Sequence, residues 1–112
     1  MPYQAQHLAE PPTRADVDGL PGATLLEFGT PWCGHCLAAQ PHIEQALQGY
    51  GTVSHLKVED GPGQKLGRSY RVKLWPTLVF LRDGQEVARL VRPLDSQEII
   101  RSLQGITTGQ DK

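Results

Sequence analysis

Residues 31–41 read PWCGHCLAAQP and contain the only two cysteines of the 112-residue chain, Cys33 and Cys36. Such a pair belongs to a metal site, a structural disulfide or a reactive dithiol. A disulfide between them would close so small a ring that it would stabilise the fold very little. A structural zinc site needs four ligands, and the chain offers only His35 and His42 nearby, without a second Cys-x-x-Cys. The pattern therefore favours a redox-reactive pair and no metal.

The residues around the pair predict a junction between a strand and a helix. The apolar run ATLLEFG, residues 23–29, is bounded by turn residues and is typical of a buried strand. Small and apolar residues then recur with helical spacing from Cys36 to Tyr50. Cys33 is therefore expected at or just before a helix N-terminus, where free amides favour the thiolate over the thiol. On this basis Cys33 is predicted to be an exposed nucleophile, and Cys36 the protected thiol that resolves a mixed disulfide.

Strands and helices are predicted to alternate along the rest of the chain. The predicted elements are a short helix over 14–18 capped by Thr13, a strand at 53–58, a helix within 61–72, two strands within 76–92 joined at Asp83-Gly84, and a helix at 94–105. This order predicts one α/β domain over residues 1–112, with a central mixed sheet covered by helices on both faces. Residues 1–20 are expected to form an N-terminal segment and residues 106–112 a flexible tail.

Composition argues against several classes of partner. The formal net charge is −1, and the lysines and arginines are scattered, so the chain shows no nucleic-acid footprint. No apolar run is long enough for a signal peptide or a membrane span. The protein is therefore expected in the cytoplasm, as a monomer without a membrane partner. Disulfides in that reducing compartment are mostly transient and catalytic.

Three separate features resemble the thioredoxin family over residues 20–105. They are Trp32-Cys33-Gly34-His35-Cys36, the proline five residues later, Pro41, and Trp75-Pro76-Thr77 ahead of a strand hairpin. The resemblance implies a thioredoxin fold and a thiol–disulfide oxidoreductase that uses a redox-active disulfide and no other cofactor. Its Gly-His pair is similar to that of protein disulfide isomerases, whereas thioredoxins usually carry Gly-Pro. Oxidase or isomerase activity is therefore an open alternative to disulfide reduction.

The resemblance also implies the partners of the reaction. These are protein substrates that contain disulfides, and an electron donor that is either glutathione or of the thioredoxin-reductase type. A different class of function is also open, in which the surface of Trp32 and Trp75-Pro76 binds unfolded proteins without turnover, as a chaperone module would.

Two residues are predicted to tune the cysteines. His35 is expected to stabilise the Cys33 thiolate, which makes the disulfide more oxidising. Glu27 is a charged residue in an otherwise apolar strand, and the resemblance implies that it replaces the family's usual aspartate as proton acceptor for Cys36. The family's lysine on the neighbouring strand is expected to be replaced by His55. The alternative is that Glu27 points to solvent.

The resemblance implies a substrate-binding surface made of Trp32, Gly34, Trp75, Pro76 and Thr77, with a cis peptide bond before Pro76. The two tryptophans would offer apolar contact area to an extended substrate, and packing of both in the core is the alternative. A trans proline at the start of a strand is the alternative for Pro76.

Overall fold

The chain folds around a four-stranded mixed sheet that is covered by helices on both faces. The computed structural model describes residues 3–107. In chain order the elements are α1 (Arg14–Asp18), β1 (Ala23–Gly29), α2 (Gly34–Leu47), β2 (Ser54–Glu59), α3 (Lys65–Ser69), β3 (Thr77–Arg82), β4 (Gln85–Val91) and α4 (Ser96–Thr107). The predicted order of elements and the mixed α/β class are confirmed.

The strands lie in the order β2-β1-β3-β4, which places β1 inside the sheet. β1 runs parallel to β2 and antiparallel to β3, and β3 and β4 form an antiparallel hairpin. All seven residues of β1 are buried, as its apolar sequence predicts. The hairpin turns at Asp83 and Gly84, whose φ angles of 50° and 80° are those that a tight two-residue turn requires. The predicted hairpin is confirmed.

Two apolar cores lie on opposite faces of the sheet because strand side chains alternate between the faces. Leu25 joins the core beneath α2 and α4, which also contains Ile43 and Leu103. Leu26 joins the core beneath α1 and α3, together with Val17. Glu27 follows Leu26 and therefore returns to the α2 face.

The ends of the helices confirm some predictions and correct others. Thr13 caps α1 by accepting a hydrogen bond from the Asp16 amide, as predicted. α3 confirms the short helix predicted within 61–72, and it begins only at Lys65 because Gly61 and Gly63 adopt φ angles of 139° and 82° that no helix contains. α4 continues to Thr107, so residues 106 and 107 are helical and not part of a tail. Residues 108–112 of the predicted tail lie outside the described residues.

Buried apolar surface explains the longer α4. Ile106 is fully buried against the core, and that contact continues the helix past Gly105, where the glycine was expected to end it. Within residues 3–107, no helix is both long and apolar enough to cross a membrane.

Candidate active site

Cys33 and Cys36 lie where β1 gives way to α2. Cys33 is the N-cap of α2, and its Sγ accepts a hydrogen bond from the Cys36 amide at 3.2 Å. The same sulfur lies 4.0 Å from the carbonyl oxygen of Trp75, to which its thiol donates. Both cysteines are free thiols in this structure. The predicted position of Cys33 at the helix start is confirmed, and this position gives its sulfur a donor from the helix N-terminus.

The prediction that Cys33 is exposed is wrong. Cys33 is 7% exposed and Cys36 is 3% exposed. Cys33 is covered because its sulfur turns inward between the first turn of α2 and the loop that carries Trp75. Only a small part of Cys33 is therefore open to solvent.

Cys36 is held as a thiol by its surroundings. Burial raises the pKa of Cys36 to about 12, and the hydrogen bond with Cys33 and the nearby Glu27 charge act in the same direction. A hydrogen bond with the Thr30 backbone lowers the pKa of Cys36 but offsets only part of this rise. The Cys36 side chain is also closely packed against Gly29, where an added Cβ would lie 2.6 Å from the Cys36 Sγ. Cys36 is therefore protonated at neutral pH.

Glu27 is 1% exposed, so the alternative in which it points to solvent is wrong. Its Oε1 lies 2.8 Å from His55 Nε2, and its Oε2 accepts a hydrogen bond from Gln40 Nε2 at 2.8 Å. Burial raises the pKa of Glu27, but the hydrogen bond and electrostatic interaction with His55, the hydrogen bond from Gln40 and the Lys57 charge together outweigh burial. The pKa of Glu27 therefore lies below its ordinary value, and the buried side chain is a carboxylate at neutral pH.

A lysine accompanies His55 beside Glu27, contrary to the expectation that His55 replaces it. The strand register pairs Glu27 with Lys57, and His55 pairs with Leu25 two residues away. The contact between His55 and Glu27 is present, but the inference that this strand lacks a lysine near Glu27 is wrong. The alternating pattern of β2 did not reveal Lys57 because the register between β1 and β2 cannot be read from the two strand sequences alone.

Gln40 joins Glu27 to the cysteine helix and was not predicted from sequence. Its Nε2 donates to Glu27 and also to the Cys36 carbonyl oxygen at 2.9 Å, and its Oε1 accepts from Lys57 Nζ at 2.8 Å. The available signal was its position four residues after Cys36, which places both residues on the same side of a helix.

The two tryptophans form part of the surface beside Cys33. Trp32 is 71% exposed, so the alternative that both tryptophans pack in the core is wrong. Its ring meets the half-buried Trp75 ring edge-on at 5.8 Å and 82°. The Trp75 indole donates to Asp60 Oδ2 at 2.9 Å, which fixes its orientation. Asp60 was not predicted because it lies in a loop fifteen residues from its partner.

The remaining residues of the predicted site differ in exposure. The Trp75-Pro76 peptide bond is cis, as expected. Pro76 and Thr77 are buried, and the Thr77 hydroxyl donates to the Leu74 carbonyl at 2.6 Å, so that its side chain contacts the loop and not the surface. Gly34 and His35 are exposed in the first turn of α2. Within residues 3–107, the His35 ring has no hydrogen bond to either cysteine.

Arg92 is a site residue that the sequence did not predict. It follows β4 with a φ of 52°, a left-handed conformation that costs energy in any residue with a Cβ. Its Nε donates to the Trp75 carbonyl oxygen at 2.8 Å, the oxygen that Cys33 also contacts. Arg92 and His35 line a cavity of about 280 Å³, together with His42 and Leu94. Within residues 3–107, no group of three or more His, Cys, Asp or Glu side chains could hold a metal ion.

Comparison with known proteins identifies the family. The family model described as "Thioredoxin" matches residues 11–105. The chain belongs to the thioredoxin family. The structure of reduced thioredoxin 2 from Pseudomonas aeruginosa superimposes with a TM-score of 0.84 at 52% identity, covering 96% of this chain and 99% of that one. The predicted thioredoxin fold is thereby confirmed.

Curated relatives come from two branches of the thioredoxin family. Thioredoxin of Chlamydia trachomatis is 32% identical over 80 residues, which are 71% of this chain and 78% of the relative. Protein disulfide-isomerase A3 of Gallus gallus is 36% identical over 84 residues, which are 74% of this chain and 17% of the relative. The chain thus matches only a small part of the isomerase. Members of both branches are thiol–disulfide oxidoreductases, and this does not favour the alternative of a binding module without turnover.

Proposed function

We propose that this protein is a thioredoxin-type thiol–disulfide oxidoreductase that reduces disulfides in protein substrates. The observation that carries the proposal is the asymmetry of the two sulfurs. Cys33 accepts an amide hydrogen bond at a helix N-terminus, whereas burial and neighbouring groups raise the pKa of Cys36 to about 12. One sulfur is thus prepared to attack and the other to hold its proton until a later step.

The reaction has two balanced steps. The Cys33 thiolate attacks a substrate disulfide, so that a Cys33–substrate bond forms and one substrate thiolate leaves and takes up a proton. Cys36 then gives its proton to the Glu27 carboxylate and attacks Cys33, which releases the second substrate thiolate. A Cys33–Cys36 disulfide forms, and two electrons pass to the substrate. The reverse sequence oxidises a dithiol.

Substrates are proposed to bind across the exposed surface around Cys33. Trp32 supplies apolar area, Gly34 leaves space above the first turn of α2, and Trp75 with the Pro76 backbone lines the other side. Thr77 supports this edge through its bond to the loop. No metal or further cofactor is required, because the electrons come from the two thiols.

The direction of the reaction depends on the compartment and on the reduction potential. We infer reduction in the cytoplasm by a monomer that is recharged by a thioredoxin-reductase-type donor or glutathione. We propose that His35, in the first turn of α2, stabilises the Cys33 thiolate and so moves the potential from roughly −270 mV, typical of thioredoxin, toward roughly −180 mV, typical of protein disulfide isomerase. Equilibration in glutathione buffers measures this potential.

Insulin reduction tests the proposed activity. In the presence of a reductant, the wild type is expected to accelerate the precipitation of insulin chains. Cys33→Ser is expected not to accelerate it, because this variant has no attacking sulfur. Cys36→Ser is expected to accumulate a covalent mixed disulfide that gel electrophoresis without reductant detects. Substrate binding by the wild type without turnover that depends on Cys33 would contradict the proposal and support a binding module.

A further inference from the structure

An N-terminal strap, defined here as residues 3–8, covers the buried polar groups near Glu27. The Leu8 amide donates to the Lys57 carbonyl at 2.8 Å, and Lys57 Nζ donates back to the Ala5 carbonyl at 2.9 Å. Tyr3 stacks on the His55 ring with centroids 5.6 Å apart. The strap therefore binds β2 through both its backbone and its side chains, and the proposed reaction so far gives it no role.

The Gln4 backbone determines which nitrogen of His55 carries the proton. Its amide donates to His55 Nδ1 at 2.8 Å, so Nδ1 accepts a hydrogen bond and bears no hydrogen. The hydrogen of the neutral ring is then on Nε2, which lies 2.8 Å from Glu27 Oε1. In this tautomer His55 donates to Glu27 through Nε2. A proton on Nδ1 would face the Gln4 amide hydrogen and would break this contact.

Tyr3 and Lys57 determine the orientation of the Gln40 side chain in the same way. The Tyr3 hydroxyl donates to Gln40 Oε1 at 2.8 Å, and Lys57 Nζ donates to the same oxygen. Gln40 Oε1 is therefore occupied by two donors, and its Nε2 faces Glu27 and the Cys36 carbonyl. The strap thus acts on both side chains that donate to the carboxylate.

We propose that the N-terminal strap fixes His55 and Gln40 as positioning residues, which hold Glu27 as the carboxylate that takes the proton of Cys36. This inference rests on the proposed reduction. At the second step the Cys36 S–H bond breaks toward Glu27, the Cys36–Cys33 bond forms, and the bond from Cys33 to the substrate breaks. The substrate thiolate leaves with the electron pair and is protonated by water.

The charges around Glu27 explain why its two donors matter. Titratable groups face it from three elements: His55 and Lys57 on β2, Cys36 on α2, and Tyr3 and His7 in the strap. Burial alone would raise the pKa of Glu27, and its hydrogen bonds reverse that effect. When a donor is lost, burial dominates, and Glu27 becomes protonated nearer to neutral pH. A protonated Glu27 cannot accept a second proton.

A small cavity lies between the strap and the helix that carries Cys36. It has a volume of about 150 Å³ and adjoins Cys36 and Gln40, with Ala5, Gln6 and His7 of the strap along one side. This volume has room for a few water molecules, since one occupies roughly 30 Å³ in the liquid. The strap therefore both orients the donors to Glu27 and forms one side of the space beside Cys36 and Gln40.

Rapid mixing of the reduced protein with a fluorescent disulfide peptide separates the two steps. Attack by Cys33 depends on peptide concentration, whereas resolution by Cys36 is a first-order phase. His55→Leu is expected to slow the first-order phase roughly tenfold near neutral pH, with recovery at higher pH as Glu27 deprotonates. His55→Gln keeps a donor toward Glu27 and is expected to restore most of the rate. A purely structural role would slow both phases at every pH and would overturn the inference.

A proline substitution tests the strap itself. Gln4→Pro removes the one amide that donates to His55 Nδ1 and is expected to slow the first-order phase several-fold. Ala9→Pro is the matched control, because the Ala9 amide takes part in no hydrogen bond within the described part of the chain. Nitrogen-15 NMR of the imidazole is expected to show a protonated Nε2 in the wild type and in Ala9→Pro, and a mixture of tautomers in Gln4→Pro.

The outcomes distinguish the two proposals. Equal first-order rates and the same His55 tautomer in Gln4→Pro and Ala9→Pro would overturn the role of the strap while leaving the reduction intact. A wild type without any phase that depends on Cys33 would contradict the proposed function, and with it the role of the strap.

Discussion

Glu27 and Cys36 are both buried on the α2 side of the sheet, yet at neutral pH Glu27 is a deprotonated carboxylate and Cys36 a protonated thiol. Burial raises the pKa of each group, since both lose charge on protonation. Glu27 receives hydrogen bonds from His55 and Gln40 that reverse this effect, whereas the neighbours of Cys36 add to it. In the proposed mechanism, the proton passes from Cys36 to Glu27 only when Cys36 begins to form a bond to Cys33.

Substitution of Glu27 by Gln tests this arrangement directly. Glu27→Gln removes the proton acceptor and is expected to slow resolution by Cys36 roughly tenfold to a hundredfold. It also removes a negative charge that raises the pKa of Cys36, so thiolate absorbance near 240 nm should place that pKa below about 12. Glu44→Gln changes an exposed carboxylate on α2 and is the control. If Glu27→Gln resolved the mixed disulfide at the wild-type rate, Glu27 would be ruled out as the proton acceptor.

The sequence predicted residues whose signals are local and missed those that depend on distant contacts. Cys33 as an N-cap follows from a strand, two cysteines and a helical pattern in succession. The register between β1 and β2 places Lys57 in the site, and the position of α2 places Gln40 there. Arg92 reaches the site because it adopts a left-handed conformation after β4. The burial of Cys33 was also missed, because the loop that carries Trp75 covers it from another part of the chain.

The same distinction applies to whole elements. α1 and the β3–β4 hairpin were predicted correctly because Thr13 and Asp83-Gly84 specify them locally. α4 extends beyond Gly105 because Ile106 finds a place in the core, and this is a property of the assembled fold. Glycine alone is a weak stop signal when burial beyond it is favourable.

Packing between α3 and the loop after β2 positions one wall of the active site. Gly67 lies against the Asp60 carboxylate, and a Cβ there would overlap Asp60 Oδ1. The same carboxylate accepts the hydrogen bond from the Trp75 indole. α3 therefore supports Trp75 through a single close contact, although it has only five residues.

Substitution of Gly67 by Ala is expected to disturb this wall. The added methyl group displaces Asp60, and overpacking of this kind costs about 1–3 kcal/mol, more than the roughly 1 kcal/mol that Ala gains over Gly in a helix. Urea unfolding should show the loss, and the tryptophan emission of the folded state should shift. Gly49→Ala is the control, since its Cβ would meet nothing within 4 Å. Unchanged stability and emission in Gly67→Ala would contradict the proposed support.

In the molecule as a whole, the sheet lies between the two apolar cores, and the proposed active site lies at the carboxyl end of β1. The carboxyl ends of strands are where open α/β sheets place their ligands, and Cys33 follows β1 at that position. Hydrogen bonds of the strap extend the site to the first described residues of the chain. Reactivity and folding stability are therefore linked through Glu27, which is buried in the sheet and belongs to the proposed catalytic residues.

This link predicts how the stability of the whole protein depends on pH. The pKa of Glu27 is lower in the folded protein than its ordinary value of 4.5, so the carboxylate stabilises the fold above that pH. The contribution is lost as pH falls through the lower, folded-state pKa. The free energy of unfolding of the wild type should exceed that of Glu27→Gln by roughly 1–3 kcal/mol near neutral pH, because a buried network loses a charged acceptor.

The difference between the wild type and Glu27→Gln should shrink as pH falls below 4.5 and through the lower folded-state pKa of Glu27. Urea unfolding of both proteins at a series of pH values measures this difference. Glu44→Gln should show no comparable dependence, because its carboxylate is exposed. A difference that stays constant or grows on acidification would mean that Glu27 is already protonated in the folded protein at neutral pH. Such a Glu27 could not take the proton of Cys36.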